Sequence, residues 1–267
     1  MRLTDLLFPP RCVACGVLLD FEGLADDSAL CEDCQKLLLD EQRERCGFCQ
    51  SEVTQCTCMT ELQKKAGCKG FFKAVYYRHG TRIPVQNKLI FRIKDKRDAR
   101  TARILAGMLQ SVLEGQDESR VLSGADTVIV YVPRRRSIVL QTGVDQAKAL
   151  AKALSHYTGI PAVSCIVRRR GKQMEQKTLT QRERLKNARS SFSVRHPERI
   201  AGRNVLLVDD IVTTGASMAV CAKALLAAGG NAVYCVAVAS DDTNKNPDVP
   251  QPSGAKKAAF GGKSFLK

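Results

Sequence analysis

Two adjacent carboxylates, Asp209 and Asp210, close an apolar run and are followed by Thr213, Thr214, Gly215, Ala216 and Ser217. The two halves of this stretch favour different chemistry. The hydroxyls of Thr213, Thr214 and Ser217 are donors, and Gly215 lets the backbone come close to a ligand. A helix starting there adds free N–H groups and the positive end of its dipole, so this half suits a phosphate. The carboxylates would repel a phosphate but accept hydrogen bonds from vicinal hydroxyls. A ribose 5-phosphate presents both features a few ångströms apart.

The flanking sequence supplies elements to position these groups. Residues 205–208 are apolar without alternation, which reads as a strand buried on both faces of a parallel sheet. Residues 216–228 carry apolar side chains at helical spacing and stop at Gly229-Gly230. The loop therefore falls where a central strand hands over to a helix, the ligand-binding edge of an α/β sheet. Residues 205–217 resemble the phosphoribosyl pyrophosphate (PRPP) signature of type I phosphoribosyltransferases. That resemblance implies a PRPP site formed by Asp209, Asp210, Thr213, Thr214, Gly215, Ala216 and Ser217.

The rest of the sheet is read from similar patterns. Residues 71–77 are β-rich and open a connecting region, 71–120. Residues 85–113 have mostly helical spacing, interrupted by a basic stretch, 92–97, that reads as solvated surface. Residues 126–132 read as the first strand of the sheet proper. Arg134, Arg135 and Arg136 follow it, and such guanidiniums beside a ligand crevice suit pyrophosphate. Residues 141–146 open a helix, with Thr142 or Asp145 as its cap, that ends near Gly159 and precedes a strand at 162–167. Between Cys165 and Val205 the chain holds 12 Lys/Arg against 3 Asp/Glu. Arg168 and Arg182 lie in this long stretch, which reads as a loop closing over bound pyrophosphate. Leu185 and Phe192 are its candidate anchors. Arg134, Arg135, Arg168 and Arg182 are the candidate pyrophosphate ligands. Residues 232–239 read as a further buried strand.

Nine of the twelve cysteines precede residue 70. Cys12-x-x-Cys15 and Cys31-x-x-Cys34, fifteen residues apart, form two knuckles with the spacing of a tetrahedral zinc site. A second set, Cys46, Cys49, Cys56 and Cys58, reads as a second zinc site, with Cys68 in place of Cys56 or Cys58 as the rival assignment. Cys165, Cys221 and Cys235 lie in apolar runs and read as core residues. The expected organisation is a double zinc ribbon over 1–70, a phosphoribosyltransferase-like α/β domain with a parallel sheet over 71–240, and a disordered tail over 241–267.

Charge is divided along these lines. The net formal charge is +15, but residues 1–70 carry −4 and residues 71–240 carry +17. Anionic partners, phosphates or nucleic acid, therefore belong with the second region. The acidic cysteine region is a poor nonspecific DNA binder and reads as structural or as a protein-contact surface. Aromatic residues make up 5% of the chain and Trp is absent, so base-stacking platforms are few. No apolar run approaches the ~20 residues of a membrane span, and residues 1–10 lack the features of a signal peptide. A cytoplasmic protein without membrane insertion is expected.

Three blocks together resemble the ComF (competence protein F) family: the Cys pairs, residues 132–147, and residues 176–187 with 205–217. The resemblance implies two structural zinc ions, Mg²⁺ with PRPP, and a role in DNA uptake during natural competence. Implied partners are a competence DNA helicase and single-stranded DNA. The chain departs from the family's usual Gly-Phe-Asn-Gln at 143–146, from Pro-Leu-His-Pro after Pro133, and from Cys-x-x-Cys at Cys56 and Cys58. Two classes of function follow: a phosphoribosyltransferase of unknown acceptor, or a non-catalytic PRPP, nucleotide or single-stranded-DNA adaptor.

Overall fold

The computed structural model describes residues 9–19, 29–81, 83–95, 99–116, 124, 126–168 and 192–241. The expectations for Arg182, Leu185 and most of the basic loop lie outside these residues, as does the tail beyond Asp241.

Five parallel strands form the main sheet, in the order β1-β7-β6-β2-β3. They are β1 (Gly70–Tyr77), β2 (Thr127–Tyr131), β3 (Ala162–Val163), β6 (Asn204–Val212) and β7 (Ala232–Asp241). A separate antiparallel ribbon pairs β4 (Ile166–Arg168) with β5 (Phe192–Val194) and frames the basic loop. The apolar run 205–208 is fully buried in β6, at the centre of the sheet, where both faces are covered. The strand at 232–239 is present as β7 and continues to Asp241.

Two expectations are corrected. Residues 70–77 are not a connector: β1 pairs with β7 along the sheet edge, from Gly70 opposite Tyr234 to Tyr77 opposite Asp241. The run 126–132 is therefore the second strand of the sheet in chain order. The run 162–167 is not one strand. It breaks at Ser164-Cys165, leaving Ala162 and Val163 on the main sheet and Ile166 on the ribbon.

Helices cover both faces. On one face lie α1 (Glu32–Gln42), α3 (Val85–Asp95), α4 (Ala99–Glu114) and α6 (Gln146–Thr158); on the other lie α2 (Glu61–Lys65) and α7 (Ala216–Ala227). A short helix absent from the sequence reading, α5 (Arg136–Thr142), follows β2 and ends at Gly143. Asp145 caps α6 by accepting from the Lys148 amide. Among the described residues, no helix is long and apolar enough to cross a membrane.

The cysteine-rich region shares the core of the sheet. Cys12, Val13, Leu30, Cys34 and Leu38 pack in one buried cluster with Leu89 and Ile90 of α3 and Leu105 of α4. Arg92 lies in the expected solvated stretch, yet it donates to the Val13 carbonyl at 2.9 Å. Arg78, just after β1, pairs with Glu41 at 3.7 Å and with Glu44. Since the described residues of the first 70 share this core, Leu38→Ala should lower the stability of the whole chain by about 2–5 kcal/mol. Calorimetry should show a single transition moving down. A separate early transition, with the main one unmoved, would contradict the shared core.

Candidate functional site

The site is built at the C-terminal edge of β6. Asp209 and Asp210 lie in its last turn of strand, both half-buried, and β6 runs on to Val212 before the loop 213–217. Gly215 is the residue before α7, with φ of 73°, a left-handed conformation suited to glycine. Gly215 itself offers no side-chain cap to α7, and the start of a helix is where an anion is received. Thr213, Thr214 and Ser217 are exposed, while Gly215 is buried. The Thr214 hydroxyl accepts from the Ala216 amide at 3.4 Å, which tightens the turn.

Gly215 is buried because another element stands against it. A Cβ at this position would lie 2.5 Å from the Thr60 hydroxyl and 3.3 Å from Cγ of Gln63. Thr60 and Gln63 begin α2 in a reciprocal capping box: the Gln63 amide donates to the Thr60 hydroxyl, and the Thr60 amide to the Gln63 side chain. Gln63 also reaches Sδ of Met218 on α7, at 3.7 Å. The Thr60-Glu61-Leu62-Gln63 pattern carries this signal in the sequence, but a helix of five residues has too little periodicity to stand out.

The acidic pair sits in a charged surround. Burial and the neighbouring Asp210 carboxylate push the Asp209 carboxyl well above the usual carboxylate range, and Asp145 adds to the effect. Burial likewise raises Asp145, against the amides of Lys148 and Arg134 that donate to it. On the adjacent strand end, Arg134 is half-buried, and one guanidinium nitrogen is fully buried with no hydrogen-bond partner among the described residues. Arg135 is exposed and stands at the start of α5. Arg168 is half-buried on β4, over the Phe192 ring at 4.9 Å. Its burial and the nearby Arg135 charge lower its pKa, and Asp209 opposes that shift. The structure thus brings Arg135, Arg168 and Asp209 within electrostatic reach of one another.

The cysteines form two four-residue groups, Cys12, Cys15, Cys31 and Cys34, and Cys46, Cys49, Cys56 and Cys58, with the sulfurs of each within 4.8 Å of one another. A Zn–S bond of about 2.3 Å requires tetrahedral sulfurs roughly 3.8 Å apart, so both groups fit zinc. Burial alone would raise the Cys12 thiol, but backbone amides, led by Cys15, bring it to about 6. Cys46 reaches about 6 in the same way, with burial outweighed by the amides of Cys49 and Phe48 and by the Tyr76 hydroxyl. Cys68 is not part of the second group. It is buried and lies 3.6 Å from Cys235, and the rival zinc assignment fails on that distance. Cys165, Cys221 and Cys235 are core residues, each fully buried.

The second group has an unexpected neighbour. Lys73, in the middle of β1 and 3% exposed, donates to Sγ and to the carbonyl of Cys56, each at 3.1 Å. Four thiolates around Zn²⁺ leave a net −2, and a buried ammonium on one sulfur offsets part of it. The signal in the sequence is a lysine inside the apolar run 71–75.

The chain is similar to several known proteins. The phosphoribosyl transferase domain family matches residues 139–257. Competence protein F of Haemophilus influenzae is 28% identical over 211 residues, 78% of this chain and 87% of that protein. DNA utilization protein YhgH of Salmonella typhimurium is 31% identical over 56% of this chain and 65% of its own length. Among solved structures, adenine phosphoribosyltransferase from Thermoanaerobacter pseudethanolicus is 17% identical, with a TM-score of 0.33 over 54% of this chain and 82% of that one.

Asp209 gives a pH prediction. Its folded carboxyl holds a proton more tightly than the unfolded one, so the native state binds more protons between the two pKa values. Stability then falls as pH rises through that window. Asp209→Asn should be more stable than the parent at neutral pH, with the advantage shrinking toward the ordinary carboxylate range. Denaturant titrations across pH measure this, and equal stability at all pH values would contradict the electrostatic account.

Proposed function

We propose that this competence protein F homologue, with its phosphoribosyl transferase domain and its two four-cysteine clusters, binds PRPP at the end of β6 and transfers its phosphoribosyl group. The observation that carries the reading is the pairing of the start of α7 at Gly215 with the carboxylates of Asp209 and Asp210 near the end of β6. Thr213, Thr214, Ser217 and the first amides of α7 cradle the 5-phosphate. Asp209 and Asp210 accept hydrogen bonds from the ribose hydroxyls. Arg134, Arg135 and Arg168 hold the pyrophosphate and stabilise the charge that develops as it departs, with Arg182 a further candidate from the basic loop. Ala216 carries no functional group and contributes its amide.

Asp209 and Asp210 would also supply oxygen ligands to a Mg²⁺ arriving with PRPP, and that ion would neutralise phosphate charge. The two cysteine clusters hold zinc as structural ions. A glutamine-using amidotransferase activity is not part of this reading, because such enzymes need a nucleophile, commonly an N-terminal Cys. Here the early cysteines are grouped as metal ligands.

A second reading has its own support. The +17 charge of residues 71–240 and the name of the YhgH relatives favour a single-stranded-DNA adaptor that keeps a nucleotide pocket, acting with a DNA helicase during uptake. Such binding would weaken steeply with salt.

Calorimetric titration of PRPP with Mg²⁺ into the zinc-loaded chain tests the first reading. Micromolar binding is expected in the parent, and Asp210→Asn should weaken it by about tenfold or more, a loss of at least about 1.4 kcal/mol. Unchanged affinity in the variant would remove the acidic pair from the site. Titration of single-stranded DNA at several salt concentrations tests the second, and a flat salt response would count against it.

A further inference from the structure

We propose that Lys73 completes the second zinc site. Its ammonium, carried in on β1, is the positive partner of the Cys56 thiolate. It strengthens the hold of this group on zinc and ties that zinc to the edge of the sheet. This rests on the zinc reading above.

The starting observation is a charge where the strand pattern calls for an apolar side chain. β1 is buried from Gly70 to Tyr76, and Lys73 stands opposite Ala237 of β7. Strand alternation puts Lys73 on the same face as Phe71, whose ring centroid lies 5.0 Å from the ammonium. A lysine on such a face usually turns its head to water. Here Nζ ends on Cys56 instead, donating to the sulfur and to the carbonyl. An ammonium buried this deeply needs an anion. Among the described residues no carboxylate pairs with it, and of its two acceptors only the sulfur can carry a full charge.

The charge of the site gives this contact its use. Four thiolates around Zn²⁺ keep a surplus negative charge, and Cys46 and Cys56 are buried, where water screens it poorly. A neighbour that hydrogen-bonds a metal ligand sets its orientation and tunes the metal. In the first group, Cys12 is met by the backbone amides of Cys15, Cys31 and Ala14. In the second, the Phe48 amide meets Cys46 in the same way, at 3.5 Å, but Cys56 is met by a whole positive charge. A second residue of β1, Tyr76, reaches the group through Cys46. The second site is thus assembled from two segments, residues 46–58 and β1. The coupling is reciprocal: what the paired strand adds to zinc affinity, zinc adds to the pairing of the strand.

Graded withdrawal of zinc from the full chain by a chelator tests this. Released cysteines are alkylated with N-ethylmaleimide and assigned by mass spectrometry, so the two groups are read separately. Lys73→Met keeps the length of the side chain and removes its charge. It should lower the zinc affinity of Cys46, Cys49, Cys56 and Cys58 by about 10–100-fold. Cys12, Cys15, Cys31 and Cys34 should release zinc as in the parent. Cobalt(II) in place of zinc separates charge from packing. Without the ammonium, the sulfur-to-cobalt charge-transfer absorption should gain a component at longer wavelength. An unchanged affinity, an equal loss in both groups, or a lower affinity with an unmoved absorption would each overturn the proposal. The parent alone gives a further arm: amide hydrogen exchange in β1 should speed up about tenfold or more as the second group empties. Exchange that ignores the second group overturns the coupling to the sheet. If the second group of the parent takes up no zinc at all, the zinc reading falls and this proposal with it.

Discussion

The contact between Thr60 and Gly215 constrains the rest of the molecule. The loop before α7 turns through a left-handed residue, and the space a side chain would take there is already filled by Thr60. Thr60 cannot drift, because its hydroxyl and amide are both engaged with Gln63. Cys58, in the second cysteine group, lies two residues before it. The second cysteine group thus leads directly into α2, and α2 stands against the back of the loop. The cysteine region is part of the support of the loop before α7.

Electrostatics point the same way. Burial disfavours ionisation of Asp145 and of Asp209, the latter also beside the Asp210 carboxylate, and burial with the nearby Arg135 disfavours the charge of Arg168. Each set is costly alone and is relieved by a ligand of opposite character: hydroxyl donors or a cation for the carboxylates, an anion for the guanidiniums. A phosphorylated sugar bearing pyrophosphate supplies both. At β1, Lys73 and the second cysteine group form a third arrangement, already paired within the chain.

How much of this was legible in the sequence depended on how local the encoding was. The apolar run 205–208, the acidic pair and the helix at 216–228 are written in consecutive residues, and they appear where the pattern put them. The metal groups were legible because cysteine spacing is itself geometry. Cys68 was ambiguous, since only the fold carries it away from the second group to Cys235. The role of residues 70–77 was not legible, because β1 pairs with β7 some 160 residues later. Such pairing leaves no trace in composition. Helices α2 and α5 are too short to show periodicity, and the break at Ser164-Cys165 falls inside an otherwise strand-like run.

The long-range pairing of β1 also explains why a cysteine-rich region sits at this edge. An edge strand of eight residues presents unpaired amides and carbonyls, a template for association with other chains. β3, at the opposite edge, manages this by being only two residues long. β1 is long, yet it is buried along almost its whole length. Its cover comes from α1, α3 and α4 on one face and from the second cysteine group, which Lys73 and Tyr76 meet through Cys56 and Cys46. The region that supports the phosphate loop therefore also shields the edge of the sheet. A single stretch serves both needs because β1, β7 and the loop end at the same level.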